Sequence, residues 1–201
     1  MTETTVSASA AALAITTQIS ALAVPLLRSQ QPMHHEVRAL DGAWFDVLPL
    51  PVVAAPTVTL INGTSFERVP VDDPAVSGPR TRSYENLHVH VPWIRRAAVC
   101  MERVVGRRVA CAAYVSLAGD TSLGRHYDDW DGVIVQVQGQ KRWRIWADPL
   151  AVPHEIVTRP GDLLVLRRGV EHEVSTPQAS FHLAFAITSH SSQTGTSPLA
   201  G

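Results

Sequence analysis

Within the stretch LGRHYDDWDGVIVQVQGQKRW, residues 123–143, an imidazole and three carboxylates stand almost side by side: His126, Asp128, Asp129 and Asp131. Residues i and i+2 of an extended segment project from one face, so His126 and Asp128 can offer a nitrogen and an oxygen to one point. His-x-Asp is common by chance and needs a third ligand. His172 supplies it from RPGDLLVLRRGVEHEVST, where a turn at Pro160-Gly161-Asp162 starts one strand and His172 begins the next after a bend at Gly169. Two histidines and an aspartate form the facial triad of non-haem Fe(II) oxygenases, which leaves positions free for a bidentate cosubstrate and for O2.

Lys141 fits the same chemistry. Strand alternation puts Lys141, Trp143 and Ile145 on one face and Arg142, Arg144 and Trp146 on the other. If the Trp143 and Ile145 face packs inward, the ammonium goes with it. A buried ammonium is costly without an anion, and the distal carboxylate of 2-oxoglutarate would be that anion.

These residues need a scaffold of strands. After residue 108 the chain reads as short β-segments, RVACAAYVSL, GVIVQVQ, KRWRIW, HEIVT, DLLVL, HEVST and FHLAFAI, separated by Gly, Pro or Asp. Before them, VPWIRRAAVCMERVVG predicts a helix with Pro92 in its first turn, an apolar face of Ile94, Ala97, Ala98, Met101, Val104 and Val105, and Gly106 as its left-handed cap. From Trp44 the pattern turns to β, with TVTLI and TSFERV flanking a hairpin turn at Asn62-Gly63 and DDPAVSGPRTRS as a surface loop. The N-terminal stretch predicts a helix over residues 11–24 with an apolar face of Leu13, Ile15, Ile19 and Leu22, preceded by ten disordered residues and stopped at Pro25 short of a membrane span. Together the elements predict a mainly β protein, a double-sheet jelly roll with one or two N-terminal or flanking helices. Residues 1–40 are read as an N-terminal segment, 41–190 as the jelly-roll domain and 191–201 as a flexible tail.

At 201 residues with 45% hydrophobic content, the chain can bury one sizeable core. Seventeen basic and eighteen acidic side chains nearly cancel, which gives no overall field toward nucleic acid or an anionic membrane. Cys100 and Cys111 have neither the number nor the spacing of a disulfide framework or a zinc site; they read as buried thiols in a reducing cytoplasm. Asn62-Gly63-Thr64 therefore reads as a turn and not as a glycan acceptor.

Over residues 45–190 the chain resembles the JmjC-like cupins of the ribosomal-oxygenase type, which are Fe(II)- and 2-oxoglutarate-dependent hydroxylases of proteins. The resemblance runs through AYVSLAGDTSLGRHYDDWDGVIVQVQGQKRWRIW, PGDLLVLRRGVEH and SFHLAFAI. It implies a cupin double-stranded β-helix, with His126, Asp128 and His172 as catalytic iron ligands, Lys141 on the 2-oxoglutarate carboxylate, and Tyr114 and Ser180 helping to seat the cosubstrate. Two departures stand out: Ala112 where relatives carry Asn, and Arg167 where they carry Pro.

The expected reaction is hydroxylation of a C–H bond coupled to oxidative decarboxylation of 2-oxoglutarate, with Fe(II), 2-oxoglutarate and O2. Asp129, Trp130 and Asp131 read as a rim for an Arg, Lys or His side chain on a peptide or protein. That partner would be a ribosomal protein or a smaller biosynthetic precursor peptide, with no direct nucleic-acid or membrane contact, and a homodimer stays open. A cupin isomerase or hydrolase would keep the triad without needing an inward Lys141; a non-catalytic peptide-binding cupin would need neither. His88, His90, His154 and His190 read as solvated or hydrogen-bonded side chains, and His182 as a structural core histidine.

Overall fold

The computed structural model describes residues 8–36, 40 and 55–188. The expectations for residues 1–7, for Trp44 and for the tail with His190 lie outside them. In chain order the elements are α1 (Ala8–Arg28), β1 (Met33–Glu36), β2 (Thr57–Asn62), β3 (Ser65–Pro70), β4 (Thr81–Tyr84), α2 (Leu87–His90), α3 (Pro92–Val105), β5 (Val109–Ser116), β6 (Asp131–Gly139), β7 (Lys141–Trp146), β8 (His154–Thr158), β9 (Leu163–Leu166), β10 (Glu171–Ser175) and β11 (Ser180–Ile187). An eight-stranded sheet, ordered β1-β9-β6-β11-β5-β4-β2-β3, faces a three-stranded sheet, β10-β7-β8. Every ladder is antiparallel, as a jelly roll requires.

Period-two alternation divides the large sheet into two apolar faces. Val133, Val135 and Val137 of β6, Leu183 and Phe185 of β11, and Cys111 and Ala113 of β5 pack with α1 and α3. Ile134, Leu164, Leu166 and Ala184 point the other way, onto Trp143, Ile145 and Ile156 of the small sheet. The site lies between the sheets on this second face, where the strands also carry Tyr114, Gln136 and His182. Strands buried on both faces have no polar side to show, which is why β11 reads as a nearly continuous apolar run.

The helices differ from their sequence patterns in detail. Helix α1 already includes residues 8–10 and continues through Pro25 to Arg28. Pro25 sits on the exposed side near the helix end, where its ring meets solvent and its missing N–H removes a single bond. The buried line is Ala11, Ile15, Ile19, Ala23 and Leu27, packed into the same core as α3, whereas Leu13 is 59% exposed. Residues 9–28, with a mean hydropathy of 1.8, are long and apolar enough to cross a membrane, contrary to the expected stop at Pro25. In α3, Trp93 joins the buried face and Val104 leaves it at 44% exposure, while Val105 stays packed against the core.

Other corrections are local. The β2–β3 turn is centred on Gly63-Thr64, with Asn62 paired to Ser65 and the positive φ at Gly63, the first central position. DDPAVSGPRTRS is more than a loop: Pro74–Ser77 form a 3₁₀ turn capped by Asp73, and Thr81–Tyr84 form a fully buried strand. Cys111 is buried but Cys100 is exposed.

Gly139 closes the β6–β7 hairpin at φ +63°, and a Cβ there would stand 1.8 Å from the Ala179 carbonyl oxygen. Gly139→Ala is expected to cost about 2–3 kcal/mol, from strain plus a backbone collision. At roughly 2–4 °C per kcal/mol this lowers the thermal midpoint by about 4–12 °C, measurable by circular dichroism.

Candidate metal centre and its cavity

His126 and Asp128 lie in the β5–β6 connection, outside any regular strand, so the strand placement expected for them is not what orients them. Backbone pairing does so instead. The His126 and His172 amides exchange hydrogen bonds of 2.9 and 2.7 Å, and the Gly169 N–H donates to the Asp128 carbonyl at 2.8 Å. The segment is thereby held extended against the start of β10, and the i/i+2 relation survives. Arg125 and Glu171, the neighbours of the two histidines, pair across the same seam.

One ligand atom from each of His126, Asp128 and His172 falls within 4.8 Å of the others. The imidazole rings are 4.3 Å apart at 56°, and His172 Nε2 lies 3.7 Å from Asp128 Oδ2. His126 Nδ1 donates to the Gly124 carbonyl at 2.7 Å and His172 Nδ1 to the Val170 carbonyl at 3.0 Å. Each Nδ1 is therefore the protonated nitrogen, and each Nε2 keeps a lone pair directed at the cluster.

Electrostatics favour the same reading. Burial, aided by Asp129 and opposed by His126, raises the Asp128 carboxyl to about 6. Burial and then the neighbouring His126 lower His172 to about 4, which leaves it a neutral donor at physiological pH. A carboxylate short of countercharge beside two free imidazole lone pairs suits a divalent cation.

The cluster opens into a cavity of about 690 Å³ between the sheets. Lys141, 1% exposed, lines it as expected from the hairpin alternation. Its Nζ donates to Ser116 Oγ at 2.7 Å and Thr176 Oγ1 at 2.8 Å. Among the described residues no carboxylate lies within ion-pair distance of it; the buried Asp120 is engaged 3.1 Å from Arg82. Desolvation lowers Lys141 to about 8, opposed by the charge of Asp120. Trp143 lies two residues further along β7, and Ile145 is in register with His172, so one strand spans the distance from ammonium to metal ligands.

The remaining sequence candidates divide. Tyr114 lines the cavity and stacks on His182 at 5.0 Å and 9°; burial pushes its phenol well above the ordinary range. Ser180 does not line the cavity, and its buried Oγ has no partner among the described residues; the hydroxyls at the ammonium are Ser116 and Thr176. Asp129 and Trp130 are in the wall, but Asp131 is not. It is buried on Arg107, with Arg167 3.7 Å away and the Arg168 N–H donating at 3.1 Å, so it is a structural anchor and leaves the rim. His182 is buried as expected, yet it forms part of the cavity wall, edge-on to Trp143 at 5.8 Å. The signal for Ser116 and His182 was strand alternation: Ser116 follows Tyr114 by two residues, and His182 pairs with Tyr114 across β5–β11.

The fold is that of a cupin, and residues 86–153 match the family model described as JmjC domain. The sequence is similar to ribosomal oxygenase 2 of Rattus norvegicus, 33% identical over an alignment of 97 residues that covers 41% of this chain and 21% of that one. It is also similar to the bifunctional lysine-specific demethylase and histidyl-hydroxylase NO66 of Drosophila persimilis, 28% identical over an alignment of 124 residues that covers 54% of this chain and 18% of that one. The chain thus matches about a fifth of the length of these relatives. Among solved structures, the ribosomal oxygenase YcfD of Escherichia coli in complex with cobalt and 2-oxoglutarate superimposes with a TM-score of 0.60 at 16% identity, over 84% of this chain and 52% of that one. An oxidoreductase of the 2OG-Fe(II) oxygenase family from Burkholderia pseudomallei gives 0.57 at 13% identity, over 85% and 91%. At these identities the structural likeness establishes the cupin fold.

Proposed function

We propose that this chain is an Fe(II)- and 2-oxoglutarate-dependent oxygenase that hydroxylates an Arg, His or Lys side chain in a peptide or protein. The observation that carries the reading is one cavity lined both by a two-histidine, one-aspartate cluster and by a buried ammonium that has no carboxylate partner among the described residues. His126, Asp128 and His172 would hold the iron, and Lys141 with Ser116 and Thr176 would hold the distal carboxylate of 2-oxoglutarate. Bound together, iron and cosubstrate supply the oxidising chemistry by which O2 hydroxylates a C–H bond while 2-oxoglutarate becomes succinate and CO2.

The chain's own residues do the positioning. The backbone carbonyls of Gly124 and Val170 fix the imidazole tautomers. Trp143, Ile134 and Leu166 form an apolar wall that excludes water from the reacting centre. Exposed Asp129 and Tyr127, with Trp130 behind them, offer a carboxylate and two aromatic faces to a cationic or imidazole side chain. The name of the Drosophila relative, a histidyl-hydroxylase, supports the imidazole alternative. With both cysteines free thiols, we place the activity in a reducing compartment such as the cytoplasm.

The test is succinate formation by protein supplied with Fe(II), ascorbate and 2-oxoglutarate against a peptide panel. Peptides bearing Arg, His or Lys are expected to stimulate turnover and to gain 16 Da. Stimulation by acidic or purely apolar peptides alone, or by a free small metabolite alone, overturns the substrate assignment.

A further inference from the structure

The turn from Arg167 to Val170 touches every segment that bears a ligand. Gly169 holds the Asp128 carbonyl, Arg168 holds the Asp131 carboxylate through its N–H, and Val170 accepts from His172 Nδ1. Arg167 borders the cavity and reaches from there to the N-terminal helix. Its Nη2 donates to the carbonyls of Leu26, at 3.2 Å, and of Leu27 and Ser29, and its backbone N–H donates to the Pro32 carbonyl at 3.0 Å. Carbonyls at a helix C-terminus lack intrahelical donors and carry the negative end of the helix dipole, so a guanidinium there satisfies both needs. Nη1 remains 3.7 Å from Asp131 Oδ1.

We propose that Arg167 is a positioning residue that fastens the turn to the C-terminal end of α1 and so holds Asp128 and His172 at ligating separation. This rests on the metal-centre reading above. Since coupling between two sites is reciprocal, metal at the triad must in turn tighten the end of α1.

The experiment uses Mn(II) as probe, with titration calorimetry for affinity and amide hydrogen exchange for α1. Arg167→Gln is expected to bind Mn(II) about tenfold more weakly at a temperature where its circular dichroism matches wild type, within the range of ordinary couplings. In wild type, saturating Mn(II) slows exchange of residues 23–29 more than that of α3, and the excess disappears in Arg167→Gln. The proposal is overturned if the variant binds Mn(II) as tightly as wild type, or if α1 exchange in wild type does not respond beyond that of α3. Should the variant not fold, the wild-type exchange comparison decides alone. Wild type without Mn(II) affinity, or Asp128→Ala with wild-type affinity, would instead bring down the metal centre itself and this proposal with it.

Discussion

Asp128→Ala is expected to remove divalent-metal binding and 2-oxoglutarate turnover while the protein stays folded. The carboxylate is the one anionic donor of the cluster, and two imidazoles remain without it. Loss of a residue that merely supports a ligand costs about 10- to 100-fold in metal affinity, so loss of the ligand should exceed that range. The fold tolerates the change because burial disfavours the charged carboxylate, lifting it from 3.8 to about 6. A raised carboxyl means that the metal-free fold binds its proton more tightly than the unfolded chain, so this group's contribution to stability falls as pH rises from about 4 to 6. Above pH 6 the variant's metal-free midpoint should therefore equal or exceed that of wild type. Metal binding runs the opposite way, strengthening as pH rises through 6 and the carboxyl deprotonates. Calorimetry with Mn(II) between pH 5 and 7.5, beside a turnover assay, checks both; a variant that retains affinity and turnover ends the triad assignment.

How far the sequence could reach is clearest at the two aspartates on either side of Trp130. Asp129 and Asp131 look alike in the chain, yet Asp129 faces the cavity while Asp131 is buried on Arg107 and near Arg167, residues 24 and 36 positions away. No local pattern carries that distinction. The inward set Lys141, Trp143 and Ile145 was readable because a tight hairpin enforces period two and the residues are strongly apolar on one face. Helix α3 was readable for the same kind of reason, at period 3.6.

Where the chain buries polar residues, pattern fails. Strand β4, Thr81–Tyr84, looks like loop because its burial depends on partners far along the chain: Arg82 meets Asp120, and Thr81 meets Ser116. Ser116 of this pair also accepts from Lys141 and was marked only by its alternation with Tyr114, whereas Thr176, the ammonium's other partner, lies just past β10 with no pattern to mark it. Helix α1 was underestimated because Pro25 signals a stop, a rule that lapses on an exposed face near a helix end. Arg167 stood out in the sequence as a departure, but its partners at Leu26, Leu27 and Ser29 are about 140 residues away, and the fold alone brings them together.

The second large effect concerns Lys141, where stability and function should move in opposite directions. Desolvation lowers the ammonium from 10.5 to about 8, so the unfolded chain holds this proton more tightly than the fold does. Between pH 8 and 10.5 unfolding takes up a proton, and raising the pH stabilises the ligand-free protein. Below pH 8 the fold carries the full cost, on the order of 3 kcal/mol at 1.36 kcal/mol per pH unit. Lys141→Met, which fills the space that alanine would leave empty, should therefore raise the ligand-free midpoint at pH 7, less whatever is lost by leaving Ser116 and Thr176 without their donor, and the gain should vanish near pH 10.5. The same substitution should weaken 2-oxoglutarate binding about ten- to a hundredfold, since a hydrogen bond to a charged group contributes about 1.5–3 kcal/mol. In wild type the anion restores the ammonium's charge, so binding takes up a proton and affinity falls as pH rises through 8. Calorimetry of 2-oxoglutarate from pH 6.5 to 9.5, repeated in buffers of different ionisation enthalpy, measures both the affinity and the proton count. An affinity that is flat across that range and unchanged in Lys141→Met would mean that the buried ammonium serves the fold and that the cosubstrate carboxylate sits elsewhere.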